Sequence, residues 1–265
     1  MIVRAKKRLG QHFLKDKEVC EKIANQLTNY QNCKKVIEIG PGMGALSDFL
    51  IARGDLNLWL LEVDSESTDY LKKRYPQLTE RIILGDFLRM DLKQLMGDEP
   101  FCVVGNFPYN ISTEILFKCL ENRNQIPEIM GMFQKEVAVR IAEKPGTKEY
   151  GIPSLKASWW AQVSGAGSVS RSIFWPVPGV DSKLVSFKRH ETPGDEAMRK
   201  VVFQLVDAAF AQRRKMLRAA LSGIFGSSAK AEAVLIAAGI DPTLRGESLL
   251  IDSFCAIYSA SQSVK

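Results

Sequence analysis

Asn106-Phe107-Pro108-Tyr109 follows an apolar run, Phe101-Cys102-Val103-Val104, in a chain of 265 residues. An amide, two aromatics and a proline at the end of a buried strand suit a flat, polar, nitrogen-bearing ring. The amine of such a ring, adenine N6 for example, is a poor nucleophile because its lone pair is delocalised into the ring. Two acceptors on its hydrogens favour pyramidal nitrogen and localise that pair. The Asn106 side-chain oxygen and the Phe107 backbone carbonyl can be those acceptors, with Pro108 fixing the turn that aims both at one point. Tyr109 can stack on the ring face, a contact worth about 1–3 kcal/mol. Taken alone, the same four residues also describe a turn with two core aromatics.

A second constellation is Glu38-Ile39-Gly40-Pro41-Gly42-Met43-Gly44, which leaves one β-like run and opens a helix-like stretch. Gly40, Gly42 and Ala45 satisfy the dinucleotide pattern G-x-G-x-x-G/A. Glu62 stands where either a dinucleotide or S-adenosylmethionine would meet a ribose-binding acid. Glu38 and Pro41 tilt the choice. A pyrophosphate gains nothing from an acid before the first glycine, and Pro41 removes an N–H from an anion cradle. S-adenosylmethionine, a sulfonium without phosphate, fits Glu38, Gly40, Gly42 and Glu62 better. After a third run, Gly85-Asp86-Phe87 offers Asp86 to the adenine amino group and Phe87 to its ring. An NAD-dependent oxidoreductase stays open, although no hydride-transfer acid–base group is evident.

The elements that must position these residues are legible as alternating patterns. Strands are expected at 35–39, 57–63, 81–84, 101–104 and 126–133, with helices at 45–53, 65–75, 113–121 and 135–143. That alternation predicts an α/β, Rossmann-like parallel sheet, with ligands beyond the carboxyl ends of its strands. Strands at 168–174 and 183–188, flanking the Pro-rich turn 175–179, predict an antiparallel edge. Helices are expected at 198–221, 229–238 and 248–259. A boundary near residue 190 would divide a catalytic, cofactor-binding domain (1–190) from a small all-helical RNA- or ribosome-binding domain (191–265).

The formal net charge of +6 and pI near 9.0 favour an acidic partner such as nucleic acid. Arg4, Lys6, Lys7 and Arg8 form a run expected to be mobile when free and to order on RNA. Arg214 and Arg218, four apart on one face of the long helix with Arg213 and Lys215 beside them, are expected to track phosphates and set affinity rather than base choice. Five cysteines without a CxxC pair, and two histidines, argue against a zinc cluster; no metal is expected. A reducing cytoplasm fits that cysteine usage. Neither an apolar signal core nor a membrane-length run is seen, so a cytoplasmic monomer without a membrane partner is expected.

The full set of motifs resembles the ribosomal RNA adenine N6,N6-dimethyltransferases, over nearly the whole chain. It comprises Gln11 to Leu14, Glu38 to Gly44, Glu62, Gly85-Asp86, Asn106 to Ser112, Phe174 to Ser182, Ala209 to Arg218 and Leu244 to Leu249. The resemblance implies a class I S-adenosylmethionine-dependent methyltransferase sheet. His12, Leu14, Gly40, Glu62, Asp86 and Asn106 would contact the cofactor, with Gln11 nearby. Tyr109 and Phe174 would sandwich the extruded adenine. The tail is most similar to the housekeeping branch, which dimethylates two adjacent adenosines near the 3′ end of small-subunit rRNA. That branch works late in assembly, so the implied partners are this rRNA and the pre-small ribosomal subunit. The alternatives are a large-subunit enzyme of the macrolide-resistance type, or an assembly factor whose binding role outweighs catalysis. One departure is Gly179, where family members often carry lysine.

Overall fold

The computed structural model describes residues 5–191 and 195–263. They form two compact units. One contains the chain up to Ala138 together with Ala161–Arg189; the other contains Val139–Trp160 and the chain from His190 onward.

The first unit holds nine strands: β1 (Phe13–Leu14), β2 (Lys35–Ile39), β3 (Asn57–Glu62), β4 (Ile82–Leu84), β5 (Cys102–Asn106), β6 (Glu128–Gln134), β7 (Ala161–Val169), β8 (Phe174–Trp175) and β9 (Ser182–Arg189). Seven of them make one sheet in the order β4-β3-β2-β5-β6-β9-β7, while β1 and β8 pair separately. Neighbours are parallel from β4 to β6; β9 and β7 are antiparallel. This is the expected α/β, Rossmann-like sheet. Both faces of β5 are covered, so Phe101 to Val104 are all buried and the run is continuous rather than alternating. The chain adds β3 and β4 on one side of β2, then returns to add β5 and β6 on the other. That reversal opens a crevice beyond the carboxyl ends of β2 and β5, where the glycine loop and Asn106 leave the sheet.

One strand differs from expectation. The strand expected at 168–174 instead runs Ala161–Val169 on the sheet edge, with a bulge between Gly165 and Gly167. Small residues leave no alternating pattern there; the ladder with β9 makes the strand.

The second unit is helical among the described residues: Ile152–Trp160, Glu196–Ala211, Leu217–Ala220, Ser222–Phe225, Ser228–Ala237 and Ile251–Ser263. The sequence suggests a single boundary near 190; the two units divide the chain at 138/139, 160/161 and 189/190, and Val139–Trp160 groups with the tail. Its aromatic residues explain why. Trp159 and Trp160 pack edge-on to Phe203, with centroids 6.0 and 6.3 Å apart, and the Tyr150 hydroxyl donates to the Leu249 carbonyl at 2.7 Å. The long helix expected at 198–221 is also broken, at Gln212. Partners outside the helix take over at this point. The Leu217 N–H donates to the Leu244 carbonyl (2.7 Å), and Arg213 reaches Glu247 Oε2 (2.7 Å) and the Lys148 carbonyl (2.8 Å). No helix among the described residues is long and apolar enough to cross a membrane.

Candidate active site

Every residue expected at the cofactor lines one cavity of about 270 Å³ in the first unit: Gln11, His12, Leu14, Glu38, Gly40, Gly42, Glu62, Asp86, Phe87 and Asn106. The glycine loop turns its donors into the protein. Gly40 N–H donates to the Leu61 carbonyl (2.9 Å), Gly44 N–H to the Pro41 carbonyl (2.8 Å) and Gly42 N–H to Glu62 Oε2 (3.0 Å), while Pro41 has no N–H. A pyrophosphate would find these amides already used. Gly42 sits at φ +57°, and a Cβ there would stand 2.8 Å from Phe13 Cε1, so glycine is required twice over. Three carboxylates, Glu38, Glu62 and Asp86, line the cavity against one arginine, Arg8. This donor set fits a cationic, nucleoside-bearing ligand and does not fit a dinucleotide.

The acids are held firmly. Glu62 also accepts from the N–H groups of Val63 (2.9 Å) and Asp64 (3.0 Å). Burial raises its carboxyl above the usual range, against the pull of those backbone donors. Glu38 accepts from Ser47 Oγ at 2.6 Å; burial, with the Glu62 charge adding, pushes it up to about 8. Asp86 Oδ1 caps the Leu88 N–H at 3.0 Å. Behind it stands a residue that motif reading missed. Lys118 Nζ donates to the carbonyls of Phe87 (2.7 Å), Leu88 (3.1 Å) and Met90 (2.6 Å), and lies 5.4 Å from the Phe87 ring centroid. It clamps the loop carrying Asp86 and Phe87. A single lysine within helix Ser112–Glu121 gives no sequence signal of that role.

The strand exit is built from a core peg and a fixed amide. Phe107 is buried edge-on against Phe133, with centroids 5.4 Å apart. A Cβ at Gly105 would come within 2.6 Å of the Ile39 carbonyl oxygen, and one at Gly131 would run into Phe107 and Phe133. The Phe107 ring therefore serves packing, which leaves its backbone for chemistry. Asn106 Nδ2 donates to the His12 carbonyl at 2.8 Å, which sets the amide and leaves Oδ1 as the available acceptor. Pro108 and Tyr109 line the same cavity. Burial raises the Tyr109 hydroxyl pKa. That hydroxyl shares a 2.5 Å hydrogen bond with Ser182 Oγ, and its ring stacks on His12 at 5.4 Å. Ser182 is thus a second positioning residue not singled out from sequence, although it closes the Pro-rich motif.

Phe174 is placed differently from expectation. It is fully buried in the main core and pairs in register with Leu14, so it does not line the cavity. Alternation along β8 turns Phe174 inward and Trp175 outward. The basic residues also part company. Arg4 lies outside the described residues. Lys6 Nζ is committed to Asp64 Oδ1 (2.5 Å) and Glu66 Oε2 (3.3 Å). Lys7–Leu9 form a 3₁₀ turn, closed by Gly10 N–H on the Lys7 carbonyl. The described part of the run expected to be mobile, Lys6 to Arg8, is therefore a strap, with Lys7 and Arg8 exposed and Arg8 at the cavity. In the second unit Arg213 is spent on Glu247 and carbonyls, and Arg218 lies 3.3 Å from Glu232. Arg214 and Lys215 stay exposed in the turn after Ala211, so Arg214 and Arg218 share no helix face.

Comparison with known proteins shows what this chain is similar to. A family profile described as "Ribosomal RNA adenine dimethylase" matches residues 2–262. The chain belongs to the ribosomal RNA adenine dimethylase family. A protein of Cytophaga hutchinsonii named "Ribosomal RNA small subunit methyltransferase A" is 46% identical over 222 residues, covering 84% of this chain and 86% of the relative. One of the same name from Streptomyces griseus is 42% identical over 260 residues, 96% of this chain and 89% of the relative. Among solved structures, a dimethyladenosine transferase from Plasmodium falciparum aligns with a TM-score of 0.76 at 22% identity, over 93% of this chain and 96% of that one. The 23S rRNA methyltransferase ErmE aligns at 0.74 and 23%, over 94% and 98%. At these identities the two structures speak to the fold, which they share over nearly the whole of each chain.

Proposed function

We propose that this member of the dimethylase family transfers methyl groups from S-adenosylmethionine to adenine N6. Its substrate would be two adjacent adenosines near the 3′ end of small-subunit rRNA, each dimethylated within the pre-small subunit late in assembly. The observation that carries the reading is the Asn106 amide. Its nitrogen is held by the His12 carbonyl, so its oxygen is the acceptor offered to a substrate amine, in the same cavity as Glu62 and the glycine loop.

When bound, S-adenosylmethionine supplies an electrophilic methyl group on a cationic sulfur. Glu62 would hold the ribose hydroxyls, Asp86 the adenine amino group and Glu38 the cationic end, with Gly40 and Gly42 allowing close approach. Asn106 Oδ1 and the Phe107 carbonyl would accept the N6 hydrogens and localise the nitrogen lone pair. Tyr109, its hydroxyl on Ser182 and its ring on His12, would stack on the extruded base. Most of the acceleration would come from positioning and fixed dipoles. A methylated N6 cation is acidic enough to lose its proton without a strong base, and the remaining N–H admits a second transfer. Arg214 and Lys215 are the tail residues best placed to hold phosphates.

Tritiated-methyl transfer to purified small subunits lacking the modification tests this, with mature small subunits and large subunits alongside. Label should enter the undermodified particles alone. No label there overturns the reading, and label in large subunits assigns the chain to large-subunit RNA.

A further inference from the structure

We infer that Trp175 is a second base-stacking site, taking the nucleotide next to the adenine being methylated. This rests on the adenine-N6 reading above. Trp175 is 43% exposed, on the outer side of a strand whose other residue is buried. Its ring lies nearly parallel to Phe13, at 18° with centroids 6.4 Å apart, and Phe13 itself lines the cavity. The indole thus continues the aromatic wall of the cavity out to the surface. The adjoining Pro176 carbonyl holds His12 Nδ1 at 2.7 Å, and His12 stacks on Tyr109. Two aromatic stations are therefore joined through one imidazole: Tyr109 inside and Trp175 outside.

Charge selects the occupant. Lys15 Nζ stands 5.9 Å from the Trp175 ring centroid, and its backbone N–H is tied to the Ile173 carbonyl at 2.9 Å, so it is fixed beside β8. The Arg171 guanidinium rests on the Gly179 carbonyl at 3.0 Å, a neutral partner, while Asp181 Oδ1 accepts from its backbone N–H at 3.0 Å and not from the guanidinium. Neither cation has an ion-pair partner among the described residues. An apolar protein segment would gain nothing from an unpaired Lys15 at the indole, whereas a nucleotide supplies a ring for the indole and a phosphate for Lys15. Extruding one of two adjacent adenosines strips its neighbour of a stacking partner. Trp175 replaces that partner.

Steady-state methyl transfer to undermodified small subunits, with Trp175→Ala, Trp175→Phe and Lys15→Gln, is one arm of the test. Trp175→Ala should raise KM for the particle about tenfold, the range of one base–aromatic stack. KM for the cofactor and Tm should not move, and Trp175→Phe should recover most of the loss. The second arm needs no particle: titrating hexa-adenylate should quench indole fluorescence in the parent protein and not in Trp175→Phe. The inference is overturned if Trp175→Ala stays within twofold of the parent, if its cofactor KM rises in step, which marks an effect through Phe13, or if the quench is absent. An inactive parent that still shows the Trp175-dependent quench refutes the choice of particle and leaves the stacking site standing.

Discussion

Two lysines close to the cavity, Lys6 and Lys118, are consumed by the protein, whereas two cations in the turn after Ala211 are left over. Lys6 is paired with Asp64 and Glu66, and Lys118 with three carbonyls. Arg214 and Lys215 are exposed and have no ion-pair partner among the described residues. Their neighbours Arg213 and Arg218 face Glu247 and Glu232. Basic residues therefore divide by what they are already holding, not by how densely they cluster in sequence. Lys6 and Lys118 act on the chain around the cavity; Arg214 and Lys215 remain available to phosphates.

The sharpest way to break that contrast begins at the cavity. Asn106→Ala removes the acceptor that the His12 carbonyl orients, and should lower kcat about 100-fold while particle binding persists, as for other fixed dipoles aimed at a reacting group. Single-turnover methyl transfer reads it; a loss confined to KM would make Asn106 a binding residue only. Gly131→Ala forces a Cβ into Phe107 and Phe133 and should destabilise the fold by about 1–3 kcal/mol, measured as a lowered urea midpoint. Little change would mean that the Phe107 peg has room to shift.

Lys118→Met leaves the carbonyls of Phe87, Leu88 and Met90 without their donor. Cofactor KM should rise about tenfold, with particle KM unchanged and partial recovery in Lys118→Arg. If both KM values rise together, the lysine supports the fold and not the loop. The tail supplies the opposite signature. Arg214→Ala with Lys215→Ala should flatten the salt dependence of RNA binding by roughly one to two in log–log slope, while stability stays near the parent's. Arg213→Ala should leave that slope alone and cost about 1 kcal/mol of stability. An exchange of the two outcomes would undo the division between held and available cations.

The same contrast explains what the sequence revealed. Strand ends are set by topology. Once β2, β3 and β5 were recognisable as apolar runs, the residues leaving them had to converge, and Glu38, Glu62 and Asn106 do. A helix-face argument holds only while the helix continues, and at Gln212 the backbone finds partners outside it, so the stripe dissolves. Phe174 and Trp175 show the finest limit. Period-2 alternation says that they face opposite ways, but which one faces inward depends on the pairing of β8 with β1, two residues long, with partners 160 and 162 positions apart in sequence. Lys118 and Ser182 were invisible for a related reason, since each acts by reaching a loop that only the fold brings near.

Glu38 offers the smallest and most specific effect. Burial holds its carboxyl at about 8, against an ordinary value near 4.5. Folding therefore takes up a proton between those limits. The stabilisation from this group is complete below the unfolded value, declines as pH rises and is gone above about 8. A cationic ligand pulls the other way, because it interacts best with the ionised carboxylate. Binding at pH 7 should release a proton, and affinity should climb from about pH 6 to 9. Titration calorimetry in two buffers of different ionisation enthalpy measures that release directly. Glu38→Gln cannot ionise and should lose both the proton release and this stability slope, while S-adenosylhomocysteine, without the sulfonium charge, should show less release than S-adenosylmethionine. Equal proton release from the parent and Glu38→Gln would mean that Glu38 faces only Ser47 and the glycine loop, leaving Glu62 and Asp86 to recognise the ligand without it.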